Sequence, residues 1–137
     1  MHPKLARYLV ELGRTVSGSD AEFRSRPLVN ANICSISPLS HDAHGIECAL
    51  IYAEAGMPVS FMAMPANPMA ALIVGEAEIV SGLVLLQLAY PGTPVIHSNL
   101  VTQMDPLSAR CIIDVSIPVG NAAVQMAKEV WQVPSLG

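Results

Sequence analysis

Residues 76–95 read Glu76-Ala77-Glu78-Ile79-Val80-Ser81-Gly82-Leu83-Val84-Leu85-Leu86-Gln87-Leu88-Ala89-Tyr90-Pro91-Gly92-Thr93-Pro94-Val95. The first part continues a helix that starts near Pro68, because the run is rich in Leu, Met, Ala and Glu and holds no internal proline. Pro91 and Gly92 end it, and Pro94 leads into the β-branched run Val95-Ile96-His97, read as a buried strand. At about 100° per residue, Glu78 and Ser81 fall well away from the direction shared by Glu76 and Gln87. A helix apolar almost all round belongs inside a larger assembly. A bilayer is the weaker reading, since two glutamates and a glutamine fall in any window of about 20 residues long enough to span.

Outward from this unit the chain alternates. Residues 5–12 form a short helix closed by Gly13, and the polar residues 17–27 read as a surface loop. Residues 28–36 form a strand with Val29, Ala31 and Ile33 on one side, while Asn30, Asn32 and Cys34 meet a polar cavity on the other. Ser40 or Asp42 caps a helix running to about Ala55 and ended by Gly56. Residues 58–62 are the next strand, and residues 64–68 turn into the long helix. Residues 98–118 are irregular apart from a short strand at 111–113, and a helix over 120–131 closes the chain with Val124, Ala127 and Trp131 on one stripe. A helix followed by three β-then-α repeats demands parallel strands with crossover helices. The fold class is therefore α/β, with three to four parallel strands forming a partial (β/α)8 barrel. A complete barrel takes roughly 250 residues, so 137 are near half of one. The alternative is a small open sheet with helices on both faces. Residues 1–137 make one domain, with 1–27 as a helix and polar loop at its start.

Composition narrows the function. Hydrophobic residues make up 52% of the chain, enough for a core, while only 13% are charged, so much of the surface expects cover. A net charge of -4 gives no basic footprint for nucleic acid or anionic lipid. Cys34, Cys48 and Cys111 are odd in number and scattered, which suits neither a disulfide framework nor a thiolate cluster. The start lacks the apolar core of a signal peptide, and a cytoplasmic location follows as the default.

Four ordered motifs carry a resemblance. Ser37-Pro38-Leu39, Ala53-Glu54-Ala55-Gly56-Met57-Pro58-Val59, residues 77–87 and Pro91-Gly92-Thr93-Pro94-Val95 follow one another as in the trimethylamine:corrinoid methyltransferase family, which also holds glycine-betaine and other quaternary-amine demethylating enzymes. The chain resembles the middle of a longer family member from about residue 27 to 134. The resemblance implies an α/β barrel that passes a methyl group from a tertiary or quaternary methylated amine to the cobalt of a separate corrinoid protein. No cofactor is then bound directly, and the implied partners are the corrinoid protein and the methylated amine; further copies of the chain are expected separately, from its open parallel sheet edge. Residues 63–68 are several residues shorter than the family's Gly-Ala-Thr-containing turn, at a place where substrate should sit. Some members use pyrrolysine, which does not occur here.

Barrel sites gather at the C-terminal ends of strands, which makes Asn32 and Ser35, Met62 and Met64, and His97, Ser98 and Asn99 the candidates. Asn30 shares the face of Asn32, and Phe61 is the strand aromatic able to meet an ammonium, although a strand phenylalanine is more often core. His97 is the candidate acid, base or corrin neighbour, against a structural reading as a satisfied histidine. Glu78 matches the family's Ala-Glu and is the second catalytic candidate, with bonds to backbone or arginine as its structural reading. His41, His44 and Glu47 fall at i, i+3 and i+6, but nothing supplies the remaining geometry, so no metal is assigned. From a different class comes a non-catalytic scaffold that associates through its open sheet edge. A hydrolase lacks any nucleophile elbow.

Overall fold

The computed structural model describes residues 2–64, 68–100, 103–105, 107–112 and 117–136, with the side chains of residues 68–71, 103, 104 and 111 outside that description. Helix α1 spans Pro3–Ser17, begins with the His2 side chain accepting from the Lys4 amide, and ends at Gly18, whose φ of 77° supplies the left-handed cap. It therefore runs one turn beyond Gly13. That glycine lies inside the helix because a Cβ there would stand 2.7 Å from the Phe23 ring. The polar stretch read as a loop also folds, as α2 over Asp20–Ser25, capped by the Ser19 hydroxyl accepting from the Glu22 amide at 3.1 Å. Ser19 followed three residues on by Glu22 is the sequence signal of that start. The fully buried Phe23 holds the short helix down.

Strand β1 covers Ala31–Cys34, so Asn30 precedes the strand rather than sharing a face within it. Asp42, not Ser40, caps α3 over Ala43–Glu54 by accepting from the Gly45 amide at 2.9 Å. Then come β2 at Val59–Ala63, α4 at Pro68–Ala89 and β3 at Val95–Asn99. Gln87 secures the turn between the last two: its Nε2 donates to the Thr93 carbonyl and its Oε1 accepts from the Gly92 amide. A two-residue antiparallel pair follows, β4 at Gln103–Met104 with β5 at Cys111–Ile112. Helix α5 occupies Ile117–Gln125 and continues as a π-helix over Met126–Trp131, and β6 at Ser135–Leu136 joins the main sheet, a strand that the sequence did not suggest.

The main sheet has the order β1-β2-β3-β6 with every pair parallel. Right-handed crossovers that keep adding strands on the same side leave all their helices on one face. Side-chain contacts agree, since Gly45 of α3 lies against Ile33, Gly82 of α4 against Phe61, and Trp131 beside the Glu76–His97 pair. The arrangement with helices on both faces is thus not adopted among the described residues. Ala31, Ile33, Val59, Phe61 and Ala63 face the helices and build the core with Tyr52, Met57, Ile79 and Leu86.

Among the described residues α4 is the one helix long and apolar enough to cross a membrane, by length and composition. It lies along the sheet through Ile79, Gly82, Leu83 and Leu86, and its two glutamates are buried. Ile73, Val84 and Leu88 on its other side are exposed, the uncovered apolar surface that the composition suggested.

Candidate functional site

Alternation along the strands sorts the candidate residues between two faces. Across β1, β2 and β3 the register sets Cys34 beside Met62 beside Ser98, and Asn32 beside Ser60 beside Ile96. These six point away from the helices. Asn32 is exposed with its Nδ2 3.9 Å from the Met62 sulfur, Met62 is half-buried, and Ser98 is buried. Met64 is exposed just beyond β2, and residues 65–67 of the shortened turn lie outside the described residues. Asn30 is exposed ahead of β1.

The chemistry-bearing candidates lie on the other face, under the helices, in two separate carboxylate centres on α4. The first is built on Glu76, 4% exposed. His97 Nε2 stands 3.0 Å from each of its oxygens, Asn99 Nδ2 donates to Oε1 at 3.1 Å, and Trp131 Nε1 donates to Oε2 at 2.8 Å. On the far side of the imidazole, Nδ1 lies 3.4 Å from the Ser135 hydroxyl of β6. Burial alone would raise the Glu76 pKa; hydrogen bonds from His97, Asn99 and Trp131, with the charge of His97, outweigh it and hold the carboxyl below its ordinary value. Glu76 is therefore ionised and acceptor-only at neutral pH.

The second centre is Glu78, 1% exposed, which accepts from the Ser35 hydroxyl, the Ser37 hydroxyl at 2.9 Å and the Leu39 amide at 2.8 Å. Its expected backbone bond is present, and hydroxyls stand in place of the expected arginine. These bonds tie α4 to the loop after β1. One turn on, Ser81 spends its only proton on the Glu78 carbonyl at 2.8 Å, so it accepts from His41 Nε2 at 2.9 Å. Removing the Glu78 acceptor strands two hydroxyls and an amide, and Glu78→Gln, which retains one acceptor oxygen, is expected to cost about 1–3 kcal/mol. Hydrogen exchange is expected to speed up first over residues 35–40, and unchanged exchange there would refute the tie.

His41 meets Ser81 and the edge of Phe61, whereas the ring of His44 lies 5.5 Å from that of His2, so the spaced trio of His41, His44 and Glu47 does not converge. Phe61 is 1% exposed beneath α4 and serves as core. The remaining aromatic residues, Tyr8, Phe23, Tyr52, Tyr90 and Trp131, all lie outside the paired strands, so none stands on the helix-free face of the sheet. Cys34 is an exposed thiol; burial within α3 pushes the Cys48 pKa up, away from thiolate chemistry.

Sequence reasoning did not name Glu76, Ser37, Trp131 or Ser135 as site residues. The available signal was the pair Glu76 and Glu78 within an otherwise apolar helix, since a carboxylate buried at that cost needs several donors. Their different directions on the helix already required two separate donor sets.

The family model for trimethylamine methyltransferase (MTTB) matches residues 1–111. The chain is 28% identical over 141 aligned positions to trimethylamine methyltransferase MttB of Desulfitobacterium hafniense (strain DSM 10664 / DCB-2), covering 93% of this chain and 27% of that protein. Identity to the glycine betaine methyltransferase of Desulfitobacterium hafniense (strain Y51) is 30% over 141 positions, 92% of this chain and 28% of the relative. To the proline betaine:corrinoid methyltransferase of Eubacterium limosum it is 32% over 95 positions, 64% and 20% respectively. The chain thus spans about a quarter of the length of these relatives. The match across 111 of 137 residues, over a sheet whose strands run parallel in sequential order, establishes that this chain belongs to the trimethylamine methyltransferase (MTTB) family.

Proposed function

We propose that this chain forms one arc of a (β/α)8 barrel that holds a methylated amine for methyl transfer to a corrinoid carried by a partner protein. The observation that carries the reading is the family match over residues 1–111. The strand order and the one-sided helices support the barrel geometry. The corrinoid would supply the nucleophilic cobalt that takes the methyl group. Among the described residues the His97 imidazole is committed to Glu76 on the covered face and so is not free to meet a corrin, and no step is routed through the group. What this chain contributes is position.

In this reading His97 and Glu78 are positioning residues. Glu78 fixes the loop after β1, and the Glu76–His97 pair fixes the end of β3, the two places where Ser35 and Asn99 stand. Asn32, Met62 and Ser98 line the helix-free face. A cation there needs aromatic or anionic company that the described residues do not offer, so the rest of the barrel would supply it. The test is to mix the purified chain, alone and within a full-length family member, with a reduced corrinoid protein and trimethylamine or a betaine, following methyl transfer by corrinoid absorbance. Transfer by the full-length protein that is lost on deleting these residues supports the reading; transfer undiminished by that deletion refutes it.

A second reading, a self-associating scaffold, is favoured by the exposed apolar side chains Ile73, Val84 and Leu88 on α4 and Leu5, Tyr8, Leu12 and Val16 along α1. Light scattering on the purified chain decides it. A strictly monomeric solution removes it.

A further inference from the structure

Helix α4 carries only four polar side chains in 22 residues, and each is already satisfied within the chain. Glu76 and Glu78 are buried in the two centres described above, and Gln87 is bonded to the turn before β3. Ser81 donates to the Glu78 carbonyl and accepts from His41. Covering the outer side of this helix therefore strands no hydrogen-bonding side chain. That side is apolar and open, with Ile73 75% and Leu88 80% exposed. Leu50 of α3 joins Val84, Leu85 and Leu88 in an apolar groove along it.

The pattern of the stripe fits a second copy of itself. At about 100° per residue, Ile73, Ala77, Val80, Val84 and Leu88 fall within about 80° of arc. They are placed evenly about the point between Val80 and Ser81: Ile73 lies as far to one side as Leu88 to the other, and Ala77 as far as Val84. A two-fold axis through that point sets Ile73 against Leu88 of the second copy and Ala77 against Val84, the self-matching that an isologous interface requires. No charged residue lies on the stripe, so two copies meet without repulsion. Helix α4 already has α3 and α5 as its neighbours. Units that complete a barrel extend the sheet beyond β1 or β6, away from the outer side of α4. A lipid surface fits less well, since α4 holds no Lys, Arg or Trp to anchor it in a membrane interface.

We propose that the outer face of α4 is a homodimer interface, in which two α4 helices pack antiparallel across a two-fold axis between Val80 and Ser81. The proposal rests on the self-association reading above, narrows it to one face, and is independent of methyl transfer. From Ile73 to Leu88 the contact runs about 22 Å, or about four turns, which is small among stable interfaces, so a micromolar dissociation constant is expected.

The test is sedimentation equilibrium of the purified chain from about 1 to about 100 μM. The mean mass is expected to rise from 14.5 kDa to twice that value and no further. Ala77→Lys and Val84→Glu, both at exposed positions, are each expected to weaken the dimer about tenfold or more, because each buries a charge without a partner. Mixed in equal amounts, the two variants are expected to regain a dimer, since the two-fold register sets the new lysine beside the new glutamate. Leu12→Lys, on the exposed side of α1, is expected to leave the dimer unchanged. Circular dichroism verifies that each variant keeps its helices. A wild-type chain that stays monomeric overturns the proposal and the self-association reading together, and monomers whose binding to phosphatidylcholine vesicles is lost in Val84→Glu give the face to lipid instead. A dimer that survives both single substitutions, a mixture that stays monomeric, a dimer lost in Leu12→Lys, or masses climbing past the dimer overturns the α4 assignment and leaves self-association standing.

Discussion

Glu76→Ala is expected to cost about 3–5 kcal/mol of stability, a large part of what a domain this size possesses. The substitution removes the acceptor shared by His97, Asn99 and Trp131 at the junction of α4, β3 and the C-terminal helix, where His97 and Asn99 stay buried while the Trp131 ring is partly exposed. An exposed glutamate would be worth a small fraction of that. Urea unfolding followed by Trp131 emission measures the loss directly, because the chain has one tryptophan and its indole is bonded to the mutated residue. Glu76→Gln keeps an acceptor of the same shape and is expected to cost less than half as much. A loss below about 1 kcal/mol for the alanine variant would mean that the three donors find other partners.

The same carboxylate sets an acid limit. Its folded pKa lies below its ordinary value of about 4.3, so the stabilisation is fully present above that pH and is lost as the pH falls through the lower, folded value. The wild-type chain is expected to lose stability on acidification below about pH 4, with a shallower dependence in Glu76→Gln. Parallel acid curves for the two proteins would assign the effect elsewhere.

The fold was legible in the sequence where local chemistry and tertiary packing agree. The Pro91-Gly92 turn, the strand from Val95 and the long helix before them are written in breakers and β-branched residues, and the structure has all three. Gly13 misled because a glycine needed for side-chain clearance looks the same as one that ends a helix. Its neighbour in space, Phe23, is ten residues away and lay in a stretch too polar to show periodicity. β6 was hidden for another reason: two residues of strand have no periodicity, and only the register beside His97 and Ser98 makes Ser135–Leu136 one. The site residues followed the same rule. His97, Asn99 and Glu78 stand out by type and position, but their partners depend on which flank of α4 faces which element. The face on which His97 points depends on strand phase against its neighbours, which a three-residue apolar run does not fix.

That a buried flank of α4 must be glycine leads to the second large effect. A Cβ at Gly82 would stand 2.5, 2.6 and 2.7 Å from three atoms of the Phe61 ring, far inside van der Waals contact. In an isolated helix, Gly→Ala would be favourable by about 1 kcal/mol. Here the ring cannot retreat. Phe61 is 1% exposed in β2, and the His41 ring lies 5.6 Å from it, edge-on. Relief comes from lifting α4 off the sheet, and that movement stretches the bonds that Glu76 and Glu78 make on either flank. Gly82→Ala is therefore expected to destabilise by about 2–3 kcal/mol despite the propensity gain, and Gly82→Val by more. Phe61→Leu alone leaves a cavity and is expected to cost about 1–3 kcal/mol. Combined with Gly82→Ala, the smaller side chain frees the space that the new methyl needs, and the double variant is expected to be about 1–2 kcal/mol more stable than the sum of the singles predicts. A urea double-mutant cycle reads this coupling. Strict additivity, or a Gly82→Ala variant more stable than wild type, would show that α4 and β2 are not in the contact that positions both carboxylates.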